Sequence, residues 1–328
     1  MRIGVIGAGA VGGAIAALFA RAGHEVEVTA RGANLTAIRD GGIRLSGAWG
    51  DYTALVNAGS TLSRTPELAI IATKAQDARR AILNNEELLS GIPVAVVQNG
   101  LGSVSASLPL LPRSDVVGAL ALYASSLVVP GQIAVGTPGR TYIGGGADVP
   151  GRYVVSILDT VMPTSLENNF LGAQWSKLVI NQVNALPAIT GLSVQQVVAI
   201  PALRRILTLS MRENVAIGAR AHIHFAEVQG LTQRRLKSFL RAPLWIADSL
   251  PKRMARHMGS VPNPGSTLQS IRRGALTEID YLNGAVVDAA AEIGTVAPVN
   301  AAMVELVHEV ERTGSFLRPD DVVRRVLA

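Results

Sequence analysis

Only four of the 30 basic residues are lysines: Lys74, Lys177, Lys237 and Lys252. One of them heads a polar stripe in an otherwise apolar stretch, Gln174-Trp175-Ser176-Lys177-Leu178-Val179-Ile180-Asn181-Gln182-Val183-Asn184. On an α-helix each residue turns about 100°, so Asn181 and Asn184 fall roughly 40° and 20° from Lys177 around the axis. Leu178, Val179, Ile180 and Val183 point elsewhere. Arginine essentially never gives up its proton, whereas a desolvated lysine does. In a chain that prefers arginine this strongly, a lysine in apolar surroundings suits proton transfer. A lysine merely snorkelling out of a core helix would leave the aligned asparagines unexplained.

A second constellation stands at the N-terminus. Gly7-Ala8-Gly9-Ala10-Val11-Gly12 is Gly-x-Gly-x-x-Gly, preceded by the apolar run Arg2–Ile6 and followed by a small-residue helical stretch. In that context Gly7 allows a tight turn, Gly9 admits a pyrophosphate close to the backbone, and Gly12 lets helix and strand pack. The first amides of the helix then face the phosphates. The same composition could form a signal peptide, but the glycine spacing and the residues after the loop favour the dinucleotide site. NAD sites generally end the next strand on a carboxylate. Here that strand ends Thr29-Ala30-Arg31-Gly32. A guanidinium there suits a ribose 2′-phosphate, so the expected cofactor is NADP(H). Lys74 and Asn99 each follow a later apolar run, where strand ends meet ligands in such folds: Lys74 on the phosphate or adenosine side, Asn99 near the nicotinamide.

The elements that must carry these residues follow from pattern. Residues 2–6, 24–30, 68–73 and 93–98 read as strands, and 10–23 and 75–89 as helices, which predicts a parallel sheet covered on both faces. Residues 131–146 read as an antiparallel hairpin extending that sheet, and 152–162 as a helix. From Asn169 the pattern is helical almost to the end, with breaks at 186–191, 259–266 and 292–300. The expected architecture is an α/β N-terminal Rossmann-type doubly wound domain, residues 1–168, plus an all-α C-terminal domain, residues 169–328.

Bulk properties set the outer bounds. Hydrophobic residues at 48% and charged residues at 16% describe a compact globular protein. The absence of cysteine excludes disulfides and cysteine nucleophiles and suits the cytoplasm. Residues 116–129 are too short and too interrupted to span a bilayer, so no membrane partner is expected. The net charge of +6 is uneven, with 12 Lys+Arg against 11 Asp+Glu up to residue 165 and 18 against 13 beyond it. The arginine pairs are dispersed with few aromatics between them, which argues for solvated helix faces and no nucleic-acid partner. His222 and His224 lack a carboxylate cluster to complete a metal site, and His308–Arg312 reads as a solvated last helix. A homodimer is compatible with the sequence but not specified by it.

Together the pieces resemble the ketopantoate reductase family (2-dehydropantoate 2-reductases). The shared features, in order, are "GAGAVGG", Arg31, "TKAQD", "QNGLG", "GQIAVG…RTYIGGG", "WSKLVIN" and "GSTLQSIRRGALTEIDYLNG". They run over essentially the whole chain, and the last two are far more specific than the glycine loop. The resemblance implies reduction of a 2-oxo acid by NADPH between a Rossmann domain and a helical one, most simply 2-dehydropantoate to pantoate on the route to pantothenate. It implies Lys177 as general acid and Glu278 as a carboxylate beside the nicotinamide and the reacting centre. Asn99, Asn181 and Ser266 match substrate-contacting positions, and Ala124 matches a backbone contact to the cofactor. The family pattern has asparagines four and eight residues after the lysine, whereas here they fall at four and seven, with Ala185 at eight. Asn184 is therefore expected to face substrate from another angle, which leaves open a relative acting on another 2-oxo acid or ketone. A non-catalytic NADP(H) sensor is the remaining alternative, and it would not need both Lys177 and Glu278.

The chemistry suits these residues. Hydride addition to a carbonyl leaves an alkoxide that needs a proton donor within hydrogen-bonding reach. Asn181, one turn from Lys177, can donate to the developing oxyanion or hold the ammonium. Ser266 and Glu278 are too far apart to share a ligand on one straight helix. Two helices are therefore predicted, broken at "RRGALT", with Ser-x-x-Gln at 266–269 in the form of a capping box and Thr-x-x-Asp at 277–280 as a second helix start.

Overall fold

The computed structural model describes residues 1–327. The chain divides into two compact units, Met1–Phe170 and a second from Leu171 onward.

The first unit is built on an eight-stranded sheet in the order β12-β11-β8-β7-β6-β1-β2-β5. Its members are β1 (Arg2–Ile6), β2 (Glu25–Thr29), β5 (Asn57–Gly59), β6 (Leu68–Ile71), β7 (Pro93–Val97), β8 (Asp115–Ala121), β11 (Thr141–Gly144) and β12 (Thr164–Leu166). Every neighbouring pair is parallel except β8 with β11. All four residues of β6 are buried, as expected of a central parallel strand covered on both faces. The chain runs outward from β1 through β2 to β5, then restarts on the other side of β1 with β6. That reversal makes a crevice beyond the carboxyl ends of β1 and β6.

A second sheet, β4-β3-β10-β9, comprises β3 (Ile43–Gly47), β4 (Tyr52–Ala54), β9 (Ala124–Val129) and β10 (Gln132–Thr137). The expected hairpin at 131–146 does not form. β10 pairs with β9 and β3, whereas β11 joins β8 in the main sheet. Helix α1 (Ala10–Arg21) packs against strands of both sheets. This explains its composition: Ala14, Ala16, Ala17 and Phe19 are all fully buried, and a helix enclosed on several sides is apolar all round. Helix α2 (Gly32–Gly41) follows β2, and α3 (Ala75–Leu83) and α4 (Glu86–Leu89) follow β6. One helix was expected over 75–89. Asn85 interrupts it by donating to the Ala81 carbonyl at 2.7 Å and accepting from Leu62 N–H at 2.8 Å, a side-chain bond that competes with the helical ladder. Helices α5 (Ser103–Ser107) and α6 (Asp148–Leu158) complete the unit.

The second unit carries helices and one isolated bridge, Val228 with Leu231. They are α7 (Phe170–Asn181), α8 (Ala185–Thr190), α9 (Val194–Ala199), α10 (Pro201–Arg220), α11 (Gln233–Arg241) and α12 (Leu244–Ala247), then α13 (Ser249–His257), α14 (Gly265–Arg272), α15 (Ile279–Glu292), α16 (Pro298–Thr313) and α17 (Pro319–Leu327). Helix α10 is the axis. Its Leu203, Ile206, Leu207 and Met211 are completely buried, each contributing about 1.5–3 kcal/mol by leaving water. The break expected at 186–191 is instead helix α8, ended by Gly191 in the left-handed region. No helix among the described residues is long and apolar enough to cross a membrane.

Candidate active site

In the first unit the candidate residues gather at the carboxyl ends of β1, β2, β6 and β7. Gly7 turns the chain at φ +100°, where a Cβ would meet Thr73 at 2.8 Å. A Cβ on Gly12 would lie 2.1 Å from the Gly7 carbonyl oxygen, so Gly12 is required by helix–strand packing. Gly9 differs, because a Cβ there meets no protein atom within 4 Å. Packing does not demand that glycine, and the space suits a pyrophosphate approaching the α1 N-terminus. Two polar residues outside the motif hold the loop. Thr29 accepts the Gly7 N–H through Oγ1 at 3.0 Å and the Ala8 N–H through its carbonyl at 2.8 Å. Asn34 donates to the Ala8 carbonyl at 2.8 Å and accepts from Gly131 N–H at 2.8 Å. Ala10 and Val11 open α1, and Gly9 is its cap residue.

Arg31 lies just past β2 at the cap position of α2. Its guanidinium donates to Asp77 Oδ1 at 3.3 Å, and Arg80 pairs with the same carboxylate at 2.9 Å. The Arg31 side chain is 55% exposed, so this pairing is worth only about 0–1 kcal/mol and leaves the guanidinium available to an anion. Lys74 stands at the cap position of α3, and Asn99 follows β7, both half-buried. Gln98 ties their loops together by donating to the Thr73 carbonyl at 3.2 Å. Ala124 begins β9 in the second sheet and is exposed.

In the second unit, Lys177 lies on α7 among side chains that fix the helix. Trp175 is buried edge-on to Phe225, and Ser176 donates to the Ala226 carbonyl at 2.6 Å. The residue keeps some accessible surface, yet desolvation of its ammonium lowers the pKa to about 8, with the Glu278 charge opposing the shift. Such a group is an ammonium at neutral pH and still acidic enough to release its proton.

Asn181 is the last residue of α7. The helix then tightens into a 3₁₀ turn over Gln182–Asn184, whose three residues per turn bring Asn184 back over Asn181. The Asn184 amide is engaged at both ends, donating to the Asn181 carbonyl at 3.0 Å and accepting from Ser266 N–H at 3.1 Å. Gly265, at φ +71°, permits this approach, since a Cβ there would lie 2.6 Å from Asn184 Oδ1. Asn184 thereby couples the end of α7 to the start of α14. Ser266 is exposed in the first turn of α14, whose cap position is Pro264. The expected capping box does not form there; one does form at Ser193 and Gln196, heading α9.

Helices α14 and α15 are separate, with residues 273–278 between them and Glu278 at the cap position of α15. The backbone beside it is held from α16, where Glu311 accepts the Thr277 N–H at 2.7 Å. Glu311 also meets His308 at 2.8 Å, and the other ring nitrogen of His308 meets Asp280 at 2.8 Å. Residues 308–312 are therefore neither the last helix nor merely solvated. The charges read as a surface face because their partners lie roughly thirty residues away. Thr29, Asn34 and Glu311 carried no motif signal. Among the described residues no group of three or more His, Cys, Asp or Glu side chains is arranged to hold a metal ion.

Residues 3–148 match the family described as ketopantoate reductase PanE/ApbA, and residues 169–311 match ketopantoate reductase PanE/ApbA C terminal. The chain is 25% identical to a 2-dehydropantoate 2-reductase of Pyrococcus horikoshii, covering 96% of this chain and 99% of the relative. It is 28% identical to one of Archaeoglobus fulgidus, covering 94% and 98%. A PanE/ApbA family ketopantoate reductase of Ralstonia eutropha superposes with a TM-score of 0.79 at 28% identity, over 95% of this chain and 99% of that one. A D-mandelate dehydrogenase solved with NADH and anilino(oxo)acetate shares the fold, with a TM-score of 0.79 at 18% identity and coverage of 95% and 99%. With the family models accounting for both units, the chain belongs to the ketopantoate reductase family of oxidoreductases.

Proposed function

We propose that the protein is an NADPH-dependent reductase of a branched 2-oxo acid, 2-dehydropantoate, giving pantoate. The observation that supports this most is the desolvated Lys177 ammonium, with a pKa near 8 and under the influence of the Glu278 charge. It stands in a chain whose relatives are named for that reaction.

The first unit's residues fit a dinucleotide. The Gly7–Gly12 loop and the α1 amides would hold the pyrophosphate, Arg31 and Lys74 the 2′-phosphate side, and Asn99 and the Ala124 backbone the nicotinamide side. When bound, the nicotinamide supplies the hydride that adds to the carbonyl carbon. The Lys177 ammonium donates its proton to the carbonyl oxygen as negative charge develops there, and the resulting amine is reprotonated from solvent. Asn181 orients that oxygen, and Glu278 keeps the lysine charged until transfer. Ser266 is the remaining candidate contact to the acid, while Asn184 acts on it through its bond to the Ser266 N–H.

The engaged amide of Asn184 also supports a second reading, in which the 2-oxo acid differs from 2-dehydropantoate. The deciding experiment follows NADPH oxidation with a panel of 2-oxo acids. Turnover fastest on 2-dehydropantoate is expected. Faster turnover of another member would transfer the assignment to that acid. NADPH binding without turnover of any member would favour a sensor and overturn the enzymatic reading.

A further inference from the structure

The segments that carry the two residues assigned to proton transfer share a buried network of polar side chains. Gln182, Ser210, Asn283 and Asn300 are all completely buried. Gln182 opens the turn that follows α7 and donates through Nε2 to the Leu178 carbonyl at 3.3 Å. Its Oε1 accepts from Asn283 Nδ2 at 2.6 Å and lies 2.7 Å from Ser210 Oγ. Asn283 also donates to Asn300 Oδ1 at 2.9 Å, and Asn300 donates to Glu213 Oε2 at 2.7 Å. The Glu213 carboxylate is fixed in turn by Val299 and Asn300 N–H groups, each at 2.9 Å.

The offsets within this network point to its role. Gln182 follows Lys177 by five residues, and Asn283 follows Glu278 by five. Gln182 opens the turn directly after the helix that carries Lys177, and Asn283 lies in the helix whose cap residue is Glu278. The Gln182–Asn283 bond is thus a direct, buried link between the segment carrying Lys177 and the helix headed by Glu278. Asn283 Oδ1 is buried without a hydrogen-bond partner among the described residues, which costs free energy that a leucine of similar size would not. A hydrogen bond, however, constrains distance and direction more tightly than an apolar contact.

We propose that Gln182 and Asn283 are positioning residues whose hydrogen bond sets the spacing between the Lys177 ammonium and the Glu278 carboxylate. The proposal rests on the reading of Lys177 as the proton donor. Its electrostatic consequence has a definite sign. Glu278 is the charge that raises the Lys177 pKa against desolvation, so loosening the pair lets that pKa fall.

The test uses Asn283→Leu, with Gln182→Met as a second variant of similar size. In each, the pH dependence of Lys177 labelling by an amine-specific reagent is followed by peptide mapping in the ligand-free protein. The midpoint is expected to move down by about half a unit or more, the sign set by losing an opposite charge. Each variant leaves a buried partner short of a hydrogen bond, so the melting temperature should fall modestly, whereas kcat on the best 2-oxo acid should fall roughly ten- to hundredfold, the scale of a small misplacement of reacting groups. An unmoved labelling midpoint in a folded variant overturns the proposal, whatever the activity. So does a parallel loss of melting temperature and activity with the midpoint unchanged, which marks a merely structural role. If the wild type turns over no panel member, the reductase reading fails by itself, and the labelling midpoint still decides the coupling.

Discussion

The two units build their candidate sites by opposite means. In the first, consecutive residues and backbone amides do most of the work: Gly7, Gly9 and Gly12 lie within six positions, and Arg31, Lys74 and Asn99 follow directly on parallel strand ends. In the second, single side chains from distant segments are brought to bear on one another, as Asn184 is on the Ser266 N–H and Glu311 on the Thr277 N–H. Lys177 and Glu278 are electrostatically coupled across a hundred intervening residues. A ligand's phosphates can be held by a turn that almost any strand–helix junction could supply. Matching a proton donor to its task requires control of burial and of one neighbouring charge. The contrast predicts that substitutions in the first unit act on binding and those in the second on rate.

Lys177→Ala tests that division hardest. It removes the proton donor and leaves the dinucleotide loop intact, so kcat should drop by roughly a hundredfold to ten-thousandfold. NADPH affinity, measured by fluorescence titration, should stay within about twofold, too small a change to count as a lost contact. Simultaneous loss of both would show a structural lysine. In the wild type, the reductive rate should decline as pH rises through the Lys177 pKa near 8, because the donor is then deprotonated.

Arg31→Ala should do the reverse. Losing charge-assisted hydrogen bonds of about 1.5–3 kcal/mol should weaken NADPH by roughly ten- to hundredfold, with kcat at saturating cofactor little changed. NADH, which has no 2′-phosphate, should be almost unaffected. An equal loss for both cofactors would sink the assignment of Arg31 to that phosphate, and with it the preference for NADP(H).

The same contrast explains which features are legible in the sequence. The strand–turn–helix at residues 2–21 is local, so glycine spacing and apolar runs reveal it. The second sheet is not local: β3 and β10 pair across nearly ninety residues, and Gly131–Gly146 therefore looks like a hairpin in sequence. Lys177 and Asn181 stand out because one regular helix carries both. The tightening just before Asn184 is not announced by its own residues, nor are the bonds that tie its amide to Asn181 and Ser266. Gln182 and Asn283 are 101 positions apart, and an isolated amide in an apolar run carries no mark of its partner. Local chemistry leaves a pattern, whereas convergence leaves only residue types.

The smallest expected effect concerns the support beneath Glu278. Desolvation alone would lower the His308 pKa, but hydrogen bonds to Glu311 and Asp280 outweigh it and raise the value above the usual 6.5. For Glu311, desolvation would raise the carboxyl's pKa, but the Thr277 N–H and His308 hydrogen bonds hold it below the usual 4.5. A raised histidine pKa means that its stabilisation is fully present below the unfolded value near 6.5 and disappears as pH climbs through the higher folded value. The Glu311 part is present above about 4.5 and is lost as pH falls through its lower folded value. His308 is 41% exposed, so the charged cluster is worth about 0.2–1 kcal/mol, the range of screened surface pairs. His308→Gln should therefore lower the melting temperature most between about pH 5 and 6, with the gap to wild type narrowing toward pH 8. A gap that widens with rising pH would mean the imidazole stabilises this corner as a neutral ring. The Thr277–Glu311 bond beside Glu278 would then owe nothing to its charge.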